Sequence, residues 1–366
     1  MLIPLQEADG RCGAKAANLG RLLREGVDVP AGFVVGDPIG DDGWELEIES
    51  ALLDLGAGWF AVRSSGFAED GGQASFAGQL ETTLGATTTA QVVQAVRRTA
   101  RSGASPAAIA YAARTGQAAG KVVPVLVQVM VEPEAAGVLF TRHPVSGADQ
   151  VVIEAAAGLG DKVADGTVSP QAWTVDGGIT GPGLAQAPVL TSAQVHALGE
   201  LGRRIEAIFG VPQDIEWAIA DRKIWILQAR PITTRPEEAR PDEANPGEVL
   251  LTGTPASPGI ALGPVRVITG LDDFDRFRAG DVLVCRTTSP AWTPLLARAA
   301  AVVTEIGGML AHAAIVAREF GIPAVLAAPG AVTTLTDGQQ VVVDGGAGTV
   351  TAPTNHARND EPPHSG

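Results

Sequence analysis

Residues 302–326 constrain the fold more than any other stretch, because signals for a strand, a turn and a helix follow one another there. The apolar run at 300–304 predicts a buried strand, and the glycine pair at 307–308 predicts a tight turn. A helix is expected next, and Gly321 with a proline two residues later is typical of a helix C-terminus. This helix is expected to carry His312 in its first turn.

A histidine in the first turn of a helix has two interpretations. The free N–H groups and the dipole of a helix N-terminus favour negative charge, so a neutral His312 would suit a nucleophile that takes up a phosphoryl group. A lone histidine in an apolar segment is, however, more often a core or capping residue. The pattern by itself favours the structural role.

The surrounding sequence resembles a known signature. The segment G-G-M-L-A-H-A-A-I-V-A-R-E-F-G-I-P-A-V is similar to the phosphohistidine motif of the PEP-utilising enzymes, which include pyruvate phosphate dikinase, PEP synthase, rifampin phosphotransferase and enzyme I of the sugar phosphotransferase system. This resemblance implies that His312 is the catalytic phosphoryl acceptor. The family usually has Ser, Thr or Cys before the histidine, where this chain has Ala311.

The composition excludes several classes of protein. The chain has 366 residues, of which 45% are hydrophobic and 18% charged, enough for two or three domains with substantial cores. A formal net charge of −15 argues against nucleic acid or an anionic membrane as the main partner. Two cysteines, and the lack of a secretory leader or a long apolar run, lead us to expect a cytoplasmic protein.

Basic residues near the N-terminus are candidates for phosphate binding. Lys15 lies at the start of a predicted helix over 14–25, where it either reaches a phosphate or is solvated at the surface. Arg63 ends a predicted strand and precedes a Gly-, Ser- and Ala-rich loop at 64–78. Small residues let backbone N–H groups cradle phosphate oxygens, and an arginine can add bidentate bonds. An ordinary flexible hairpin loop is the alternative.

Gln128 is the interior polar residue of an apolar run at 121–132, which predicts a buried strand. A buried amide needs a hydrogen-bond partner. The partner is either the adenine edge of a nucleotide or the backbone within the sheet.

Residues 211–232 predict a hairpin of two strands with a D-R-K turn. Alternation places Asp214 and Glu216 on one face of the first strand, and Gln228 and Arg230 on one face of the second. Carboxylate and amide oxygens suit Mg²⁺, and a guanidinium suits a polyphosphate. A solvated face with cross-strand salt bridges is the alternative.

These blocks, above all V-R-S-S…A-S-F-A-G-Q-x-E-T and D-I-E-W…I-L-Q-A-R-P, resemble the ATP-grasp domain that precedes the phosphohistidine domain in the same family. The resemblance implies Mg²⁺ ligation by Glu216 and Gln228 and a charge-neutralising role for Arg142. It implies a set of ATP contacts: Lys15, Arg63, Gly78, Thr82, Gln128, Glu216, Gln228 and Arg230. The chain departs from the family pattern at Ala14, His143 and Gln171.

The expected fold is α/β and α+β. An ATP-grasp nucleotide-binding domain over 1–232 is followed by a Pro-rich linker over 233–249. A small swivelling β/β/α phosphohistidine domain is expected over 250–352, and a disordered tail over 353–366.

The resemblance implies a dikinase reaction, in which ATP phosphorylates His312 and AMP is released. No C-terminal TIM barrel for PEP or pyruvate is expected after the histidine domain. The acceptor is therefore expected to be a small molecule or to be bound by a separate acceptor-domain protein. A nucleotide-binding remnant without turnover is a third hypothesis, supported by Ala14 and Ala311 alone.

Overall fold

The computed structural model describes residues 2–39, 43–56, 58–66, 80–104, 109, 122–158, 170–181, 187–232, 247–309 and 311–353. The helices in these ranges are α1 (Ala14–Arg24), α2 (Trp44–Leu55), α3 (Thr89–Ser102), α4 (Ser192–Phe209), α5 (Thr293–Leu296), α6 (His312–Phe320) and α7 (Ala331–Thr334).

A first sheet is formed near the N-terminus, with strand order β1-β2-β5-β3-β4 and antiparallel neighbours throughout. Its strands are β1 (Leu2–Pro4), β2 (Gly32–Val35), β3 (Phe60–Ser64), β4 (Thr82–Ala86) and β5 (Val125–Val129). Helices α2 and α3 pack on it through one apolar cluster that contains Trp44 and Phe60. Strand β5 is shorter than the predicted run at 121–132 at both ends, and at its start Pro124 has no N–H to donate to a ladder.

A second antiparallel sheet has the order β11-β10-β6-β7-β8-β9. Its strands are β6 (Ala135–Phe140), β7 (Val151–Ala157), β8 (Gln171–Val175), β9 (Ile179–Thr180), β10 (Gln213–Ala220) and β11 (Lys223–Pro231). Helices α1 and α4 cover one face, where alternate residues such as Ile215, Trp217 and Ile219 join the core. The residues between them in β10 therefore project from the other face.

The carboxyl-terminal part forms a third sheet with the order β12-β19-β18-β14-β15-β16-β17-β13. Its strands are β12 (Val249–Thr252), β13 (Thr254–Ser257), β14 (Ile260–Val267), β15 (Val282–Cys285), β16 (Ala301–Thr304), β17 (Ala324–Leu326), β18 (Gln340–Asp344) and β19 (Thr349–Thr351). Strands β14 to β17 run parallel. Helices α5 and α6 pack on the sheet through one apolar core cluster, and α7 packs on it through another.

The mixed α/β and α+β fold is confirmed. The helix predicted over 14–25 is observed as α1, which ends one residue earlier, and α6 begins at His312 and ends before Gly321 as expected. Most of the predicted linker and tail, at 233–246 and 354–366, lies outside the described residues, so the division into domains stays a prediction.

Gly137 in β6 lets this strand approach β7 closely. A substitution at this position therefore tests the packing of the second sheet. A Cβ at this position would lie 1.9 Å from the backbone oxygen of Glu154 in β7. Backbone atoms in a ladder cannot move aside, so we expect Gly137→Ala to lower the free energy of unfolding by about 1–3 kcal/mol or more. Denaturant unfolding measures this. Gly58→Ala is the control, since nothing lies within 4 Å of its added Cβ, and an equal loss in both variants would contradict the explanation.

Candidate active site

The polar face of the β10–β11 hairpin forms the centre of the candidate site. The strand register places Asp214 opposite Arg230 and Glu216 opposite Gln228. Arg230 donates to Asp214 Oδ2 from Nε at 2.9 Å and from its terminal nitrogen at 2.8 Å. The predicted alternation is therefore correct. The alternative of cross-strand salt bridges is also observed, but in a buried rather than a solvated setting.

Arg63 links this face to the first sheet. It projects from β3 and donates to Glu216 Oε2 at 2.9 Å, to Gln228 Oε1 at 3.0 Å and to the backbone oxygen of Leu227 at 2.9 Å. One guanidinium thus lies between the two oxygens predicted to bind Mg²⁺. Both oxygens are directed at a single positive group, and carboxylate and amide oxygens are hard donors of the kind that Mg²⁺ takes. The residues present therefore fit the expected metal.

Lys15 adds a second cation. The side chain is only 5% exposed, so it is not the solvated surface lysine of the alternative interpretation. The start of α1 is held beside the end of β3, because Ala16 N–H donates to Ser65 Oγ at 3.0 Å and Ala14 N–H to the Gly66 oxygen at 3.1 Å.

The charges around Glu216 decide its ionisation. Burial by itself would raise its pKa, but attraction from Arg63, Lys15 and Arg230 outweighs burial and lowers the pKa below the usual value. Glu216 is therefore ionised at neutral pH and faces three cations.

The remaining predicted ATP contacts are Gln128, Thr82 and Gly78. The Gln128 amide donates to the backbone oxygen of Pro30 at 2.9 Å, which agrees with the backbone alternative for this residue. Thr82 begins β4 opposite Arg63 and is exposed. Gly78 and most of the predicted phosphate loop lie outside the described residues.

The loop after β6 carries Arg142 and His143. Arg142 Nε lies 3.9 Å from Glu206 Oε1 of α4, so this guanidinium pairs with the helix rather than with Glu216. His143 Nδ1 accepts from the backbone N–H groups of Val145 at 3.2 Å and Ser146 at 3.1 Å. An imidazole nitrogen thus caps the turn in the way that a side-chain oxygen of Asn or Asp does. Burial and then the charge of Arg318 lower the pKa of His143, which keeps this nitrogen an acceptor.

His312 is the first residue of α6, and its ring lies between the hydroxyls of Thr288 and Thr293. Nδ1 lies 3.0 Å from Thr288 Oγ1, and Nε2 lies 3.1 Å from Thr293 Oγ1. The residue is 5% exposed, and burial lowers its pKa to about 4. The ring is consequently neutral at physiological pH, the form that a nitrogen nucleophile needs.

The glycine turn before α6 contacts the second sheet directly. Met309 N–H donates to Glu154 Oε1 of β7 at 2.9 Å, and the Met309 side chain packs with Val138, Phe140 and Val152. Gly308 fits closely here, because an added Cβ would lie 2.7 Å from both Glu154 Oε2 and Cγ of Pro170.

Helix α6 itself extends this contact to the charged hairpin. Ile315 and Arg318 line a small cleft together with Asp214, Arg230 and Phe140. Arg318 donates to the backbone oxygens of Met309 at 2.7 Å and of Ala256 at 2.9 Å, so it also braces the turn. Burial lowers the pKa of Arg318 to about 10, which leaves it charged at neutral pH.

Two family profiles match the chain. A profile of the pyruvate phosphate dikinase AMP/ATP-binding domain matches residues 43–180 and 179–248, and a profile of the mobile domain of PEP-utilising enzymes matches residues 277–348. The chain belongs to this family of PEP-utilising enzymes. The expected combination of an ATP-grasp-like nucleotide-binding part and a mobile phosphohistidine part is confirmed at the level of fold and family.

Curated relatives carry the name phosphoenolpyruvate synthase. The chain is 36% identical to a probable phosphoenolpyruvate synthase of Methanothermobacter thermautotrophicus over 93% of this chain and 61% of the relative. It is 37% identical to one from Archaeoglobus fulgidus over 92% and 56% of the two chains, and 39% identical to that of Pyrococcus furiosus over 80% and 41%. The chain therefore spans about half of the length of these relatives. Among solved structures, the D-alanine-D-alanine ligase of Coxiella burnetii aligns with 60% of this chain and 48% of its own, at 11% identity and a TM-score of 0.33.

Sequence reasoning missed three residues of the site. Thr288 and Thr293 contact the ring of His312 and lie 24 and 19 positions before it in the sequence. Glu154, which accepts a hydrogen bond from the Met309 N–H, lies 155 positions before Met309. The T-T-S-P-A-W-T-P run was the available signal for the two threonines. In the described part of the chain, no set of three or more His, Cys, Asp or Glu side chains forms a metal cluster, and no helix is long and apolar enough to cross a membrane.

The burial of His312 predicts a pH-dependent stability. Above about pH 6.5 the ring is neutral whether the chain is folded or unfolded. Between pH 6.5 and the folded-state pKa of about 4, His312 is protonated in the unfolded chain and neutral in the folded chain. We therefore expect the free energy of unfolding to fall by about 2–3 kcal/mol from pH 7 to pH 4.5 through this residue. Denaturant unfolding of wild type and His312→Gln at both pH values isolates this contribution, and equal losses in the two proteins would contradict it.

The contact at the glycine turn gives a separate prediction. Gly308→Ala adds a methyl group that meets Glu154 and Pro170, and the backbone angle of Gly308 is not one that disfavours alanine. We expect the turn to leave the second sheet and hydrogen exchange of the Met309 amide to rise about tenfold or more, since its hydrogen bond to a carboxylate is lost. Gly270→Ala, with nothing within 4 Å of its Cβ, serves as the control. Unchanged protection of Met309 in Gly308→Ala would show that the contact does not persist in solution.

Proposed function

We propose that the protein is an ATP-dependent phosphotransferase of the dikinase type, in which ATP phosphorylates His312 with release of AMP and phosphate. The observation that carries this proposal is the convergence of Lys15, Arg63 and Arg230 on one carboxylate, with the helix that begins at His312 packed beside it. Three cations around one glutamate suit a polyphosphate, whose charge they can neutralise during transfer.

The chemistry follows from a neutral imidazole. A ring nitrogen of His312 forms a bond to the β-phosphorus of ATP, the bond from that phosphorus to the α–β bridging oxygen breaks, and the electron pair leaves on AMP. The pyrophosphoryl group on the ring then loses its terminal phosphoryl group to water or inorganic phosphate. The remaining phosphohistidine passes its phosphoryl group to the acceptor, which restores the neutral ring.

The roles of the other residues are part of the proposal. Lys15, Arg63 and Arg230 bind the phosphates, and Arg142 moves from Glu206 toward them when the nucleotide is bound. Glu216 and Gln228 would hold Mg²⁺, which supplies further neutralisation of the polyphosphate when bound. Gly78, Thr82 and Gln128 complete the nucleotide contacts.

In this proposal His312 travels between sites, because its ring here contacts Thr288 and Thr293 rather than the charged face of the hairpin. The part of the chain that carries His312 docks, accepts a phosphoryl group and swings to a second site. We propose a small molecule as the acceptor, bound by this chain or by a separate acceptor-domain protein. Pyruvate is the first to test, since the relatives carry the name phosphoenolpyruvate synthase. The two unpaired buried cysteines favour action in the cytoplasm.

Labelled ATP tests the proposal. With purified protein and Mg²⁺, we expect label from the β-position to be retained as acid-labile phosphoprotein while AMP is released. His312→Ala should lower this labelling at least a hundredfold, because the nucleophile is absent. The exposed His196 of α4 provides the matched control His196→Ala. Release of ADP instead of AMP, or acid-labile label that survives in His312→Ala, would overturn the proposal.

A further inference from the structure

Both ring nitrogens of His312 lie beside a threonine hydroxyl, and the two hydroxyls are not equivalent. Thr288 Oγ1 is 3.0 Å from Nδ1, and Thr293 Oγ1 is 3.1 Å from Nε2. Each hydroxyl has one proton to donate and lone pairs to accept with. What each can do for the ring therefore depends on where that single proton is already directed.

The proton of Thr293 is committed. Thr293 Oγ1 lies 2.8 Å from the backbone oxygen of Pro290, and a carbonyl oxygen can only accept, so the hydroxyl donates to it. Toward Nε2, Thr293 can then act only as an acceptor. The 3.1 Å contact consequently requires a hydrogen on Nε2 of His312.

A neutral imidazole carries one N–H, so Nδ1 bears the free electron pair. It accepts from Thr288, whose hydroxyl has no other hydrogen-bond partner among the described residues and is free to rotate. Thr288 can thus serve either tautomer of the ring, as donor to a bare Nδ1 or as acceptor from Nδ1–H. Thr293 can hydrogen-bond only to the tautomer that has a hydrogen on Nε2.

We infer that Thr293 is a positioning residue that holds His312 as the Nε2–H tautomer while the ring is seated in its own domain. Nε2 then has no electron pair with which to attack phosphorus, and the pair on Nδ1 is engaged by Thr288. The nucleophile is masked until the ring leaves Thr293. The functional consequence of this masking rests on the proposed phosphotransfer. The assignment of the tautomer does not depend on it.

Nitrogen NMR of protein labelled with ¹⁵N-histidine, without ATP, tests the assignment. His312→Gln identifies the signals of this ring. In the wild type at pH 7 we expect a protonated Nε2 and an unprotonated Nδ1. Thr293→Val removes the acceptor and keeps the shape, so the tautomer ratio should shift toward Nδ1–H by about fivefold, the worth of one net hydrogen bond.

Two further variants separate this role from simple packing. Thr293→Ser keeps the hydroxyl and should restore the wild-type ratio, whereas Thr288→Val removes a partner that favours neither tautomer and should leave Nε2 protonated. An unprotonated Nε2 in the wild type, or a ratio unchanged in Thr293→Val, would overturn the inference. Because no nucleotide is present, these results are independent of the labelling experiment with ATP, which by itself decides the proposed function.

Discussion

The pairing of β10 with β11 is the constraint on which the rest of the site depends. Its register brings a carboxylate opposite a guanidinium and a second carboxylate opposite an amide. Lys15, Arg63 and Arg230 all act on Glu216, and their attraction keeps this carboxylate ionised in a setting where burial alone would oppose the charge. Helix α6 approaches this charged face from the carboxyl-terminal part of the chain, through Ile315 and Arg318.

Local structure was predictable from the sequence because it depends on near neighbours. Glycines, a proline and an apolar run predicted the strand, turn and helix of the His312 segment, and strand alternation placed the four polar residues of the hairpin. Contacts across sheets were not predictable. Nothing in the sequence pairs Arg63 with Glu216, which is 153 positions away, or turns the Gln128 amide to Pro30. Such partners are set by how layers pack, and periodicity carries no information about that.

Two departures from the family sequence find a physical explanation in the structure. His143 stands where Asn or Asp is usual, yet its Nδ1 receives the same kind of turn N–H groups that a carboxyl or amide oxygen would. Ala311 lacks a hydroxyl beside the histidine, but the ring contacts the hydroxyl of Thr288, before α5, and that of Thr293, which begins α5. His143 thus caps its turn with a different side chain, and His312 has hydroxyl partners although position 311 has none.

The turn at Gly308 has a consequence for how the carrier part is recognised. Its polar contact with Glu154 is made by a main-chain N–H, and its closest fit involves a residue with no side chain. The Met309 side chain adds an apolar contact, so the turn presents one backbone N–H beside one apolar side chain. Two unlike surfaces can therefore receive the same turn, provided that each offers an acceptor oxygen beside a flat apolar wall. That pair of features is a structural criterion for any second surface that receives this turn.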